Sequence, residues 1–472
     1  MTRITTDKLH NHIDETITLK GWVANRRDHG KLMFVDLADR GGSVQMVILP
    51  NHEDAQEAAQ DIRSEWVIQV EGKVNKRPEK MVNEDEENGD IEIEVLSLNV
   101  LNESKTPPYE IREDNKGVDE NVRLKYRYLD LRNQRMQHNL RTRSEFVQKC
   151  REFLFGNNFT EIETPLLTKT TPEGSRDFVV PSRMYPGKFY ALPQSPQQYK
   201  QLLMTAGFER YFQISRAVRD EDLRADRGFE HTQLDLEISF VEREDVLNLV
   251  EEMITAVVEK MGYTIKEKPF PRISYADAME KHGADKFDLR TEAEKEAGNV
   301  LAYAWVVDFP MFERVSDEES TGMEKGEWTF SHNPFSAPMP DSLDDLLAGE
   351  NIENIIAAQY DLVCNGFESG GGSVRSHKRE WLEATYKIMG YSEEEMEESV
   401  GHMLESFDYG TPPHGGIALG VERNIMNLTG EESLREVQAF PQTRRGKTSV
   451  MDAPTELSEE QLNELGIKIE KE

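Results

Sequence analysis

The chain has 472 residues, a formal net charge of -33 and a hydrophobic share of 37%, and because this is long for a single hydrophobic core, two or more domains are expected. No apolar run has the length of a membrane-spanning helix and the N-terminal segment lacks a signal-peptide pattern, so we expect neither membrane insertion nor secretion. The acidity argues against nonspecific nucleic-acid binding, which needs basic surface, although a local patch can still bind RNA selectively. The two cysteines, Cys150 and Cys364, give neither a disulfide framework nor metal-ligand spacing, and we therefore expect a cytoplasmic protein.

Residues 1–103 show the pattern of a small β domain. The predicted segments, in chain order, are strands over 17–23, 33–37 and 44–49, a helix over 53–64, and strands over 66–74 and 91–100. Three strands, a helix and two strands are typical of a five-stranded OB-type barrel.

Two side chains of this domain are predicted on the outer face of the barrel. Phe34 is out of phase with the apolar residues around it, and Gln45 lies between Val44 and Met46, so both point away from the core. An aromatic ring in such a place can stack on a base. An incidental surface aromatic and amide is an alternative of equal weight.

A hinge or linker is predicted over residues 104–134. Pro107 and Pro108 favour a linker in its first part. The basic and aromatic stretch over 123–132 is predicted either as a hinge that touches a bound nucleic acid or, equally, as the start of a helix. Residues 135–472 then form the larger domain, in which helical and strand periods both occur.

The first part of the larger domain contains a helix and an edge strand. Apolar residues recur at helical spacing from Phe146 to Leu154. The strand that follows is stopped by Pro165, which suits a sheet edge or an interface better than a central position. Further on, Gln197 and Lys200 are three apart in a predicted helix and therefore share one face.

A long antiparallel hairpin is predicted from Tyr211 to Phe240. After its bend, apolar residues alternate with Gln233, Asp235 and Glu237, which places three polar side chains on one face of the sheet. The bend carries four charged residues, Arg219, Glu221, Arg224 and Arg227. Arginines beside a row of carboxylates can hold a polyphosphate next to an ammonium group, while a solvated, charge-rich hairpin explains the same pattern about equally well.

A glycine-rich strand is predicted between Glu368 and Arg375. It contains three consecutive glycines from Gly370 to Gly372, and glycines in a strand let another group approach the backbone. The flanking residues supply a carboxylate suited to a metal and a guanidinium suited to a carboxylate, so the functional interpretation is favoured here over a merely weakened strand.

Near the end of the chain, a strand from His414 reaches Gly420 and is followed by a helix whose first turn displays Arg423. His332 lies in a loop after a buried strand, where a lone histidine is more often structural than catalytic. The sequence contains no zinc-type spacing, no P-loop and no dinucleotide fingerprint.

Together these motifs resemble those of the class II aminoacyl-tRNA synthetases, and specifically of the bacterial-type aspartyl-tRNA synthetases. Three class motifs occur in order, namely the strand ending at Pro165, the hairpin with Arg219 to Glu221, and the turn from Gly420 to Arg423. Signatures similar to those of the aspartate enzymes are TPEGSRDF from Thr171, FYALPQSPQQYKQLL from Phe189, GGGSVR from Gly370 and TPPHGGIALG from Thr411. The resemblance extends from the barrel to the AFPQT stretch at 439–443.

The resemblance implies an α+β fold, with an N-terminal five-stranded OB barrel followed by a class II catalytic domain on an antiparallel sheet. It implies an ATP-dependent ligase that joins L-aspartate to tRNA(Asp), with tRNA(Asn) as a further candidate. The implied catalytic residues are Arg219, Arg423 and Glu221. The implied aspartate site is Glu173, Gln197, Lys200, Arg219, Asp235, His332 and Arg375, and the implied ATP site is Arg219, Glu221, Arg227, His231, Glu368, Gly420 and Arg423.

The resemblance also implies a metal and two kinds of macromolecular contact. Mg²⁺ would be held by Asp361 and Glu368. The implied anticodon contacts are Arg27, Phe34, Gln45 and Glu94. A homodimer would form through the strand ending at Pro165.

Four departures from the family pattern are present. Only 13 residues separate Arg290 from Ala304, where bacterial members carry an extra domain, so that domain is predicted to be absent while catalysis survives. His231 takes the place of a phenylalanine that stacks on adenine, Gly228 replaces a glutamine that helps to hold ATP, and Asn333 stands where a second histidine is common.

Two other kinds of protein remain as alternatives. An asparaginyl or lysyl relative is the nearest, and Lys200 with Arg375 argues against it because neither substrate has a side-chain carboxylate. The other is a catalytically silent RNA-binding paralogue, against which the joint presence of the ATP-site residues argues.

Overall fold

The structure is a computed structural model, and it describes residues 3–170, 173–315 and 325–470, so the first two residues of the signature that begins at Thr171 lie outside the described residues. The chain forms two compact units, one of residues 1–119 and 128–133 and the other of residues 120–127 and 134–472. Within the described ranges, no helix is long and apolar enough to cross a membrane.

The first unit contains the predicted closed barrel. Its elements are β1 (Thr16–His29), β2 (Leu32–Asp39), β3 (Gly42–Ile48), α1 (Glu53–Ala59), β4 (Val67–Lys76) and β5 (Ile91–Asn102). The strand order is β1-β2-β3-β5-β4, in which β3 and β5 are parallel and the other pairs are antiparallel. Val35, Leu37 and Val44 are among the residues buried inside. Phe34, Asp36 and Gln45 alternate with them along the strands and therefore point outward.

Two short helices lie in the stretch that the sequence predicts as a linker, α2 (Glu120–Lys125) and α3 (Arg127–Asp130). The remaining helices belong to the second unit: α4 (Gln134–Gly156), α5 (Gln197–Thr205), α6 (Arg243–Lys260), α7 (Tyr275–His282), α8 (Glu292–Ala297), α9 (Leu343–Ala348), α10 (Arg379–Ile388), α11 (Glu393–Phe407), α12 (Val421–Thr429) and α13 (Glu459–Leu465). The 3-10 helices are Thr6–His12, Glu79–Met81, Pro340–Ser342, Ile352–Asn354 and Leu434–Glu436.

The second unit is built on one large sheet. Its strands are β6 (Thr160–Glu161), β7 (Val179–Pro181), β8 (Phe189–Ala191), β9 (Arg210–Val218), β10 (Glu230–Ser239), β11 (Thr264–Ile265), β12 (Arg272–Ser274), β13 (Val300–Leu301), β14 (Tyr303–Val307), β15 (Phe312–Arg314), β16 (Trp328–Phe330), β17 (Gln359–Cys364), β18 (Phe367–Val374) and β19 (His414–Gly420). Eight of them form a sheet in the order β12-β14-β17-β18-β19-β10-β9-β6. The six central strands are antiparallel, as predicted, whereas β12 with β14 and β6 with β9 are parallel pairs at the two edges.

The two faces of this sheet differ in chemistry. One face packs against α4, α6 and α12 through buried residues such as Phe146, Val250 and Ile425. Leu234, Leu236 and Ile238 of β10 belong to the same core, so the residues that alternate with them, including Asp235, face the opposite side. The polar face is therefore the one that builds the functional site.

The edge strand before Pro165 is shorter than predicted. Only Thr160–Glu161 pairs with β9 as β6, and the Ile162 N–H donates to the carbonyl oxygen of Phe212 at 3.1 Å as the chain leaves the sheet. An edge strand has one neighbour, and proline lacks the N–H that would continue the ladder.

Strand β18 contains one irregularity. Opposite β17, Glu368 pairs with Val363, but the next pair is Gly370 with Leu362, so Ser369 is an extra residue. This is a β-bulge, which inserts one residue and shifts the alternation of the side chains that follow.

Candidate active site

The polar face of the sheet and the loops above it enclose a cavity of about 680 Å³. All the site residues predicted in the larger domain line it: Glu173, Gln197, Lys200, Arg219, Glu221, Arg227, His231, Asp235, His332, Asp361, Glu368, Arg375, Gly420 and Arg423. They come from the loops that carry Glu173 and His332, from α5, from β10 and the bend before it, from β17, from β18 and the residue that follows it, and from β19 and α12. The fold thus brings distant parts of the sequence to one place.

A buried cluster of four charged side chains lies at one end of the cavity, where Lys200, Asp235 and Arg375 are lining residues and Glu237 is not. Lys200 Nζ lies 3.1 Å from Asp235 Oδ1 and 3.3 Å from Glu237 Oε2. The Arg375 Nε donates to Glu237 Oε1 at 2.9 Å, and its Nη1 donates to the hydroxyl of Ser373 at 2.8 Å. Because all four charged side chains are at most 3% exposed, Glu237 holds both cations in fixed positions.

A glycine on the neighbouring strand leaves space for the Glu237 carboxylate. Gly416 of β19 pairs with Glu237 of β10, and a Cβ atom on Gly416 would lie 2.2 Å from Glu237 Oε2 and 2.1 Å from the carbonyl oxygen of Leu236. No side chain fits there. Lys200 reaches the cluster from α5, on the same face as Gln197, in agreement with the predicted spacing.

The ionisation of Glu237 follows from its neighbours. Burial alone would raise its pKa, but the positive charges of Arg375 and Lys200 outweigh burial and lower the pKa below its ordinary value. The carboxylate therefore stays charged. An ammonium group has three donors and a guanidinium has five, so both cations keep donors for a ligand after binding Glu237.

The opposite end of the cavity is closed by the bend of the hairpin. Arg219 Nε donates to the carbonyl oxygen of Gln194 at 3.2 Å. Glu221 accepts a short hydrogen bond from the hydroxyl of Ser175 and lies 3.8 Å from Arg227 Nη1. These contacts tie the charged residues of the bend to one another and to the loop residues Ser175 and Gln194.

His231 and Arg423 form the wall next to this bend. Burial, together with the positive charge of Arg219, lowers the pKa of His231 to about 3, so its ring is neutral at physiological pH. Arg423 Nη2 lies 3.1 Å from Asp226 Oδ2, and its Nη1 lies 3.3 Å from Glu368 Oε2. An uncharged aromatic ring and an arginine are both suited to stacking on a base.

Two carboxylates on neighbouring strands form an oxygen site between the two ends. Asp361 of β17 and Glu368 of β18 lie on either side of Gly371, where a Cβ atom would be 2.9 Å from Asp361 Oδ1 and 3.4 Å from Glu368 Oε1. Burial raises the pKa of Asp361, and His332 Nε2 lies 3.4 Å from its Oδ2. Burial would do the same to Glu368, yet the charges of Arg423 and Lys286 keep its pKa at about 2.

This pair fits a magnesium ion. Mg²⁺ prefers oxygen ligands and is usually held by one or two carboxylates together with substrate phosphates. The described residues contain no group of three or more His, Cys, Asp or Glu side chains that could hold a metal by themselves. Asp361 and Glu368 therefore supply two carboxylates of the kind that such an ion prefers.

Two residues that depart from the family pattern, Asn333 and Gly228, have surroundings that explain what each does locally. Asn333 Oδ1 accepts the backbone N–H of Phe335 at 3.0 Å, so the side chain shapes the loop that carries His332. A Cβ atom on Gly228 would lie 3.5 Å from Leu434 Cδ1, which is ordinary contact, so the glycine leaves space rather than relieving a clash.

The sequence reasoning missed the roles of Glu237 and Lys286. The alternation of the hairpin predicts Glu237 on the polar face, but a spacing pattern gives no sign of the two cations that converge on it. Lys286, whose Nζ lies 3.1 Å from Glu368 Oε2, follows α7 in a segment without a motif, and no signal in the sequence identified it.

The predicted anticodon residues lie on the barrel of the first unit. Arg27 Nη2 donates to Asp36 Oδ1 at 2.9 Å and to Gln45 Oε1 at 3.2 Å. Phe34 meets the ring of His29 edge to face, with ring centroids 5.8 Å apart. These four side chains and that of His29 are all partly or fully exposed, so part of the Phe34 ring is accessible to a ligand.

Glu94 of β5 makes contacts with other residues of the barrel unit. His52 Nε2 lies 3.0 Å from Glu94 Oε1, and Asn75 Nδ2 donates to Glu94 Oε2 at 3.3 Å. The hydrogen bond with His52 is the main reason why the pKa of Glu94 is lowered. The carboxylate is thus an oriented acceptor on the outer surface.

Comparison with known families agrees with this architecture. The family model of class II tRNA synthetases (D, K and N) matches residues 119–444. The model of the OB-fold nucleic acid binding domain matches residues 17–101. The fold and the site therefore define the class of protein, a class II tRNA synthetase with an OB-fold domain.

Individual relatives narrow this class. The aspartate–tRNA ligase of Staphylococcus saprophyticus is 38% identical over 97% of this chain and 97% of the relative. The aspartate–tRNA(Asp/Asn) ligase of Caldanaerobacter subterraneus is 40% identical over 97% of this chain and 96% of the relative. The chain belongs to the family of aspartate–tRNA ligases.

The first of these alignments also tests the predicted absence of an extra domain. It spans 580 positions, whereas this chain has 472 residues. More than 100 positions of the relative therefore have no counterpart here. The shortened chain agrees with the prediction made from the spacing between Arg290 and Ala304.

Solved structures show the same fold at lower identity. The asparaginyl-tRNA synthetase of Pyrococcus horikoshii complexed with asparaginyl-adenylate has a TM-score of 0.74, is 21% identical, and is matched over 94% of this chain and 98% of that chain. The aspartyl-tRNA synthetase of Entamoeba histolytica has a TM-score of 0.72 at 22% identity, over 93% of this chain and 91% of that chain.

The buried cluster leads to a prediction about stability. Glu237→Gln keeps the shape of the side chain but leaves Lys200 and Arg375 with one counter-charge fewer, so we expect the free energy of unfolding to fall by about 3 to 5 kcal/mol. Urea denaturation of the full chain measures it. Asp408→Asn, which breaks an exposed pair with Arg379, is the control and should cost at most about 1 kcal/mol.

The effect should depend on pH in a defined direction. The folded-state pKa of Glu237 lies below its ordinary value of 4.5. The stabilisation of the fold by the charged carboxylate is therefore complete above pH 4.5 and is lost as the pH falls through the folded-state pKa. The difference between wild type and Glu237→Gln should therefore be constant at neutral pH and shrink in acid. Equal stabilities at neutral pH would contradict the central role of Glu237.

Proposed function

We propose that this chain activates L-aspartate with ATP, forming aspartyl-adenylate and pyrophosphate, and then transfers the aspartyl group to the 3′ end of tRNA(Asp). One observation carries the proposal: Lys200 and Arg375 bind the same buried carboxylate, Glu237, in a cavity that is also lined by Arg219 and Arg423. Two buried cations select an acidic side chain, and two arginines nearby suit the phosphates of a nucleotide.

The amino acid would be bound at three points. Glu173, Gln197 and Asp235 would accept hydrogen bonds from its ammonium group or orient it. Lys200 and Arg375 would bind its side-chain carboxylate, with His332 closing over the site. The reacting α-carboxylate would then point towards Arg219, in the direction of the nucleotide.

The nucleotide would lie along the hairpin bend. Arg219 would bind the α-phosphate and Glu221 the adenine. Arg423 would stack on the adenine and reach the γ-phosphate, while the neutral ring of His231 lines the base pocket. Arg227 and the backbone at Gly420 would complete the ATP site.

Magnesium would be held by Asp361 and Glu368 together with phosphate oxygens. When bound, the ion neutralises charge on the phosphates and fixes their orientation. The space at Gly371 and the purely oxygen-bearing donor set support this assignment.

The first reaction step requires positioning more than acid–base chemistry. The α-carboxylate of aspartate is ionised at neutral pH, so no general base is needed. One of its oxygens attacks the α-phosphorus in line, and the bond from that phosphorus to the bridging oxygen of pyrophosphate breaks. Arg219 stabilises the charge on the α-phosphate while Arg423 holds the leaving end of the nucleotide.

In the second step, the 3′-hydroxyl of the terminal adenosine of tRNA attacks the carbonyl carbon of the adenylate. The ester bond to tRNA forms, the bond to AMP breaks, and the hydroxyl proton is released. Lys200 and Arg375 hold the aspartyl side chain throughout, so the same contacts that select the amino acid also position it for transfer.

Selection against asparagine follows from hydrogen-bond polarity. A carboxylate accepts bonds from both cations, whereas the amide nitrogen of asparagine would point its own hydrogens at these donors. Such a mismatch in a buried site can reduce specificity constants by roughly 10⁴ to 10⁵. Glu237 strengthens the discrimination because it keeps both donors in place.

The barrel would bind the anticodon through Arg27, Phe34, Gln45 and Glu94. A partly exposed ring flanked by polar side chains suits a stacked, unpaired base. Relatives are named as aspartate–tRNA(Asp/Asn) ligases, which supports tRNA(Asn) as a second candidate substrate for this chain.

A homodimer and a cytoplasmic location complete the proposal. Near the edge strand β6, Phe155, Leu166 and Leu167 are 54%, 55% and 52% exposed, and apolar side chains gathered at a sheet edge favour a protein interface. Both cysteines are free and buried, which suits a reducing compartment.

Arg375→Leu tests the amino-acid site. It removes the guanidinium that would bind the side-chain carboxylate, so aspartate-dependent ATP–pyrophosphate exchange should fall at least about 10³-fold. The control is Arg379→Leu, an exposed arginine four residues further on, which should leave exchange unchanged. Exchange driven equally well by asparagine in the wild type would contradict the proposed substrate.

Phe34→Ala tests the barrel. Losing a ring that stacks on a base costs about 1 to 3 kcal/mol, so kcat/KM for aminoacylation of tRNA should fall by a factor of about 5 to 160 while ATP–pyrophosphate exchange is unchanged. Met81→Ala, another exposed barrel residue, is the control. Transcripts of tRNA(Asp) and tRNA(Asn) should both be assayed. A loss in ATP–pyrophosphate exchange as large as the loss in aminoacylation would count against an anticodon role for Phe34.

The dimer is tested by analytical ultracentrifugation. The wild type should sediment as a dimer, and Leu166→Asp with Leu167→Asp should produce a monomer because two charges would be buried in the interface. Leu347→Asp places a charge at an exposed leucine of α9 and should leave the dimer intact. A monomeric wild type would refute the proposed interface.

A further inference from the structure

Lys286 stands at the cavity in a position that the roles given above do not use. It lies between α7 and α8 and lines the cavity, with a side chain 34% exposed. Its neighbour Phe287 is buried, stacks with His282 at 4.4 Å and accepts the backbone N–H of Gly366 at 3.0 Å. The backbone beneath Lys286 is therefore anchored while its ammonium group extends into the site.

The ammonium group shares one acceptor atom with a second cation. Glu368 Oε2 lies 3.1 Å from Lys286 Nζ and 3.3 Å from Arg423 Nη1. When a carboxylate binds a divalent ion, the ion offsets its negative charge, so the carboxylate pairs less strongly with both cations. Binding of a metal–nucleotide complex at Glu368 must therefore release at least one of them.

The contacts indicate that Lys286 is the cation that is released. Arg423 has further partners, because it also pairs with Asp226 at 3.1 Å and donates to the carbonyl oxygen of Glu368 at 3.2 Å. For Lys286, the described part of the chain provides one ion-pair partner, Glu368. A lysine also has a flexible stem and compact charge, which allow it to change partners easily.

We propose that Lys286 binds the β- and γ-phosphates of ATP and the pyrophosphate formed from them. This inference rests on the function proposed above. On nucleotide binding, Lys286 exchanges its hydrogen bond with Glu368 for one with a phosphate oxygen. As the bond to the α-phosphorus breaks, the leaving pyrophosphate gains a negative charge that one divalent ion and one arginine do not cancel, so a further cation at this place stabilises the leaving group.

Equilibrium binding separates this role from a structural one. Isothermal titration calorimetry of the full chain uses two probes, pyrophosphate in the presence of Mg²⁺ and a sulfamoyl analogue of aspartyl-adenylate, which has no β- or γ-phosphate. Lys286→Met should weaken pyrophosphate binding on the order of tenfold or more and leave binding of the analogue unchanged. Lys286→Arg should retain most of the pyrophosphate affinity.

The matched control is Lys281→Met. Lys281 lies on α7 and pairs with Asp277 at 3.5 Å, and this substitution should change neither affinity. Pyrophosphate binding by Lys286→Met that equals or exceeds the wild-type affinity would overturn the proposal, as would an equal loss for both probes. A wild type that binds pyrophosphate but not the analogue would instead contradict the proposed aspartate activation.

Discussion

The site depends on one carboxylate that is shared by two cations. Glu237 is fully buried and binds Lys200 and Arg375 at the same time, so neither cation can move without disturbing the other. In water such ion pairs are weak, but in a dry interior the loss of one partner leaves an uncompensated charge. The geometry presented to an amino acid is therefore fixed before any substrate arrives.

Charge balance connects this cluster to the rest of the cavity. Lys200, Arg375, Asp235 and Glu237 sum to zero, and at the nucleotide end Arg423 and Lys286 offset Asp226 and Glu368 in the same manner. The cavity therefore contains many charges without a large net charge. An anionic ligand can enter by replacing carboxylates as partners of the cations, so binding exchanges interactions that are already formed.

The sequence predicted the elements of this site better than their contacts. Alternation in the hairpin and the spacing of Gln197 and Lys200 gave the correct faces, because these are local regularities of strands and helices. The convergence of β10 with α5 and β18 on Glu237 is a tertiary property, and no local pattern reports it. The strand before Pro165 was predicted too long for a similar reason, since the point at which an edge strand leaves its neighbour depends on the surrounding structure.

The bulge in β18 has a consequence for how this enzyme family can vary. Glu368 and Arg375 are an odd number of residues apart, so in a regular strand they would face opposite sides of the sheet. The extra residue at Ser369 brings both to the cavity. Inserting a single residue between them, or straightening the bulge without shortening the strand, would turn either the acid or the guanidinium towards the hydrophobic layer beneath α4, α6 and α12, so the spacing and the bulge must change together for both ends to stay in the cavity.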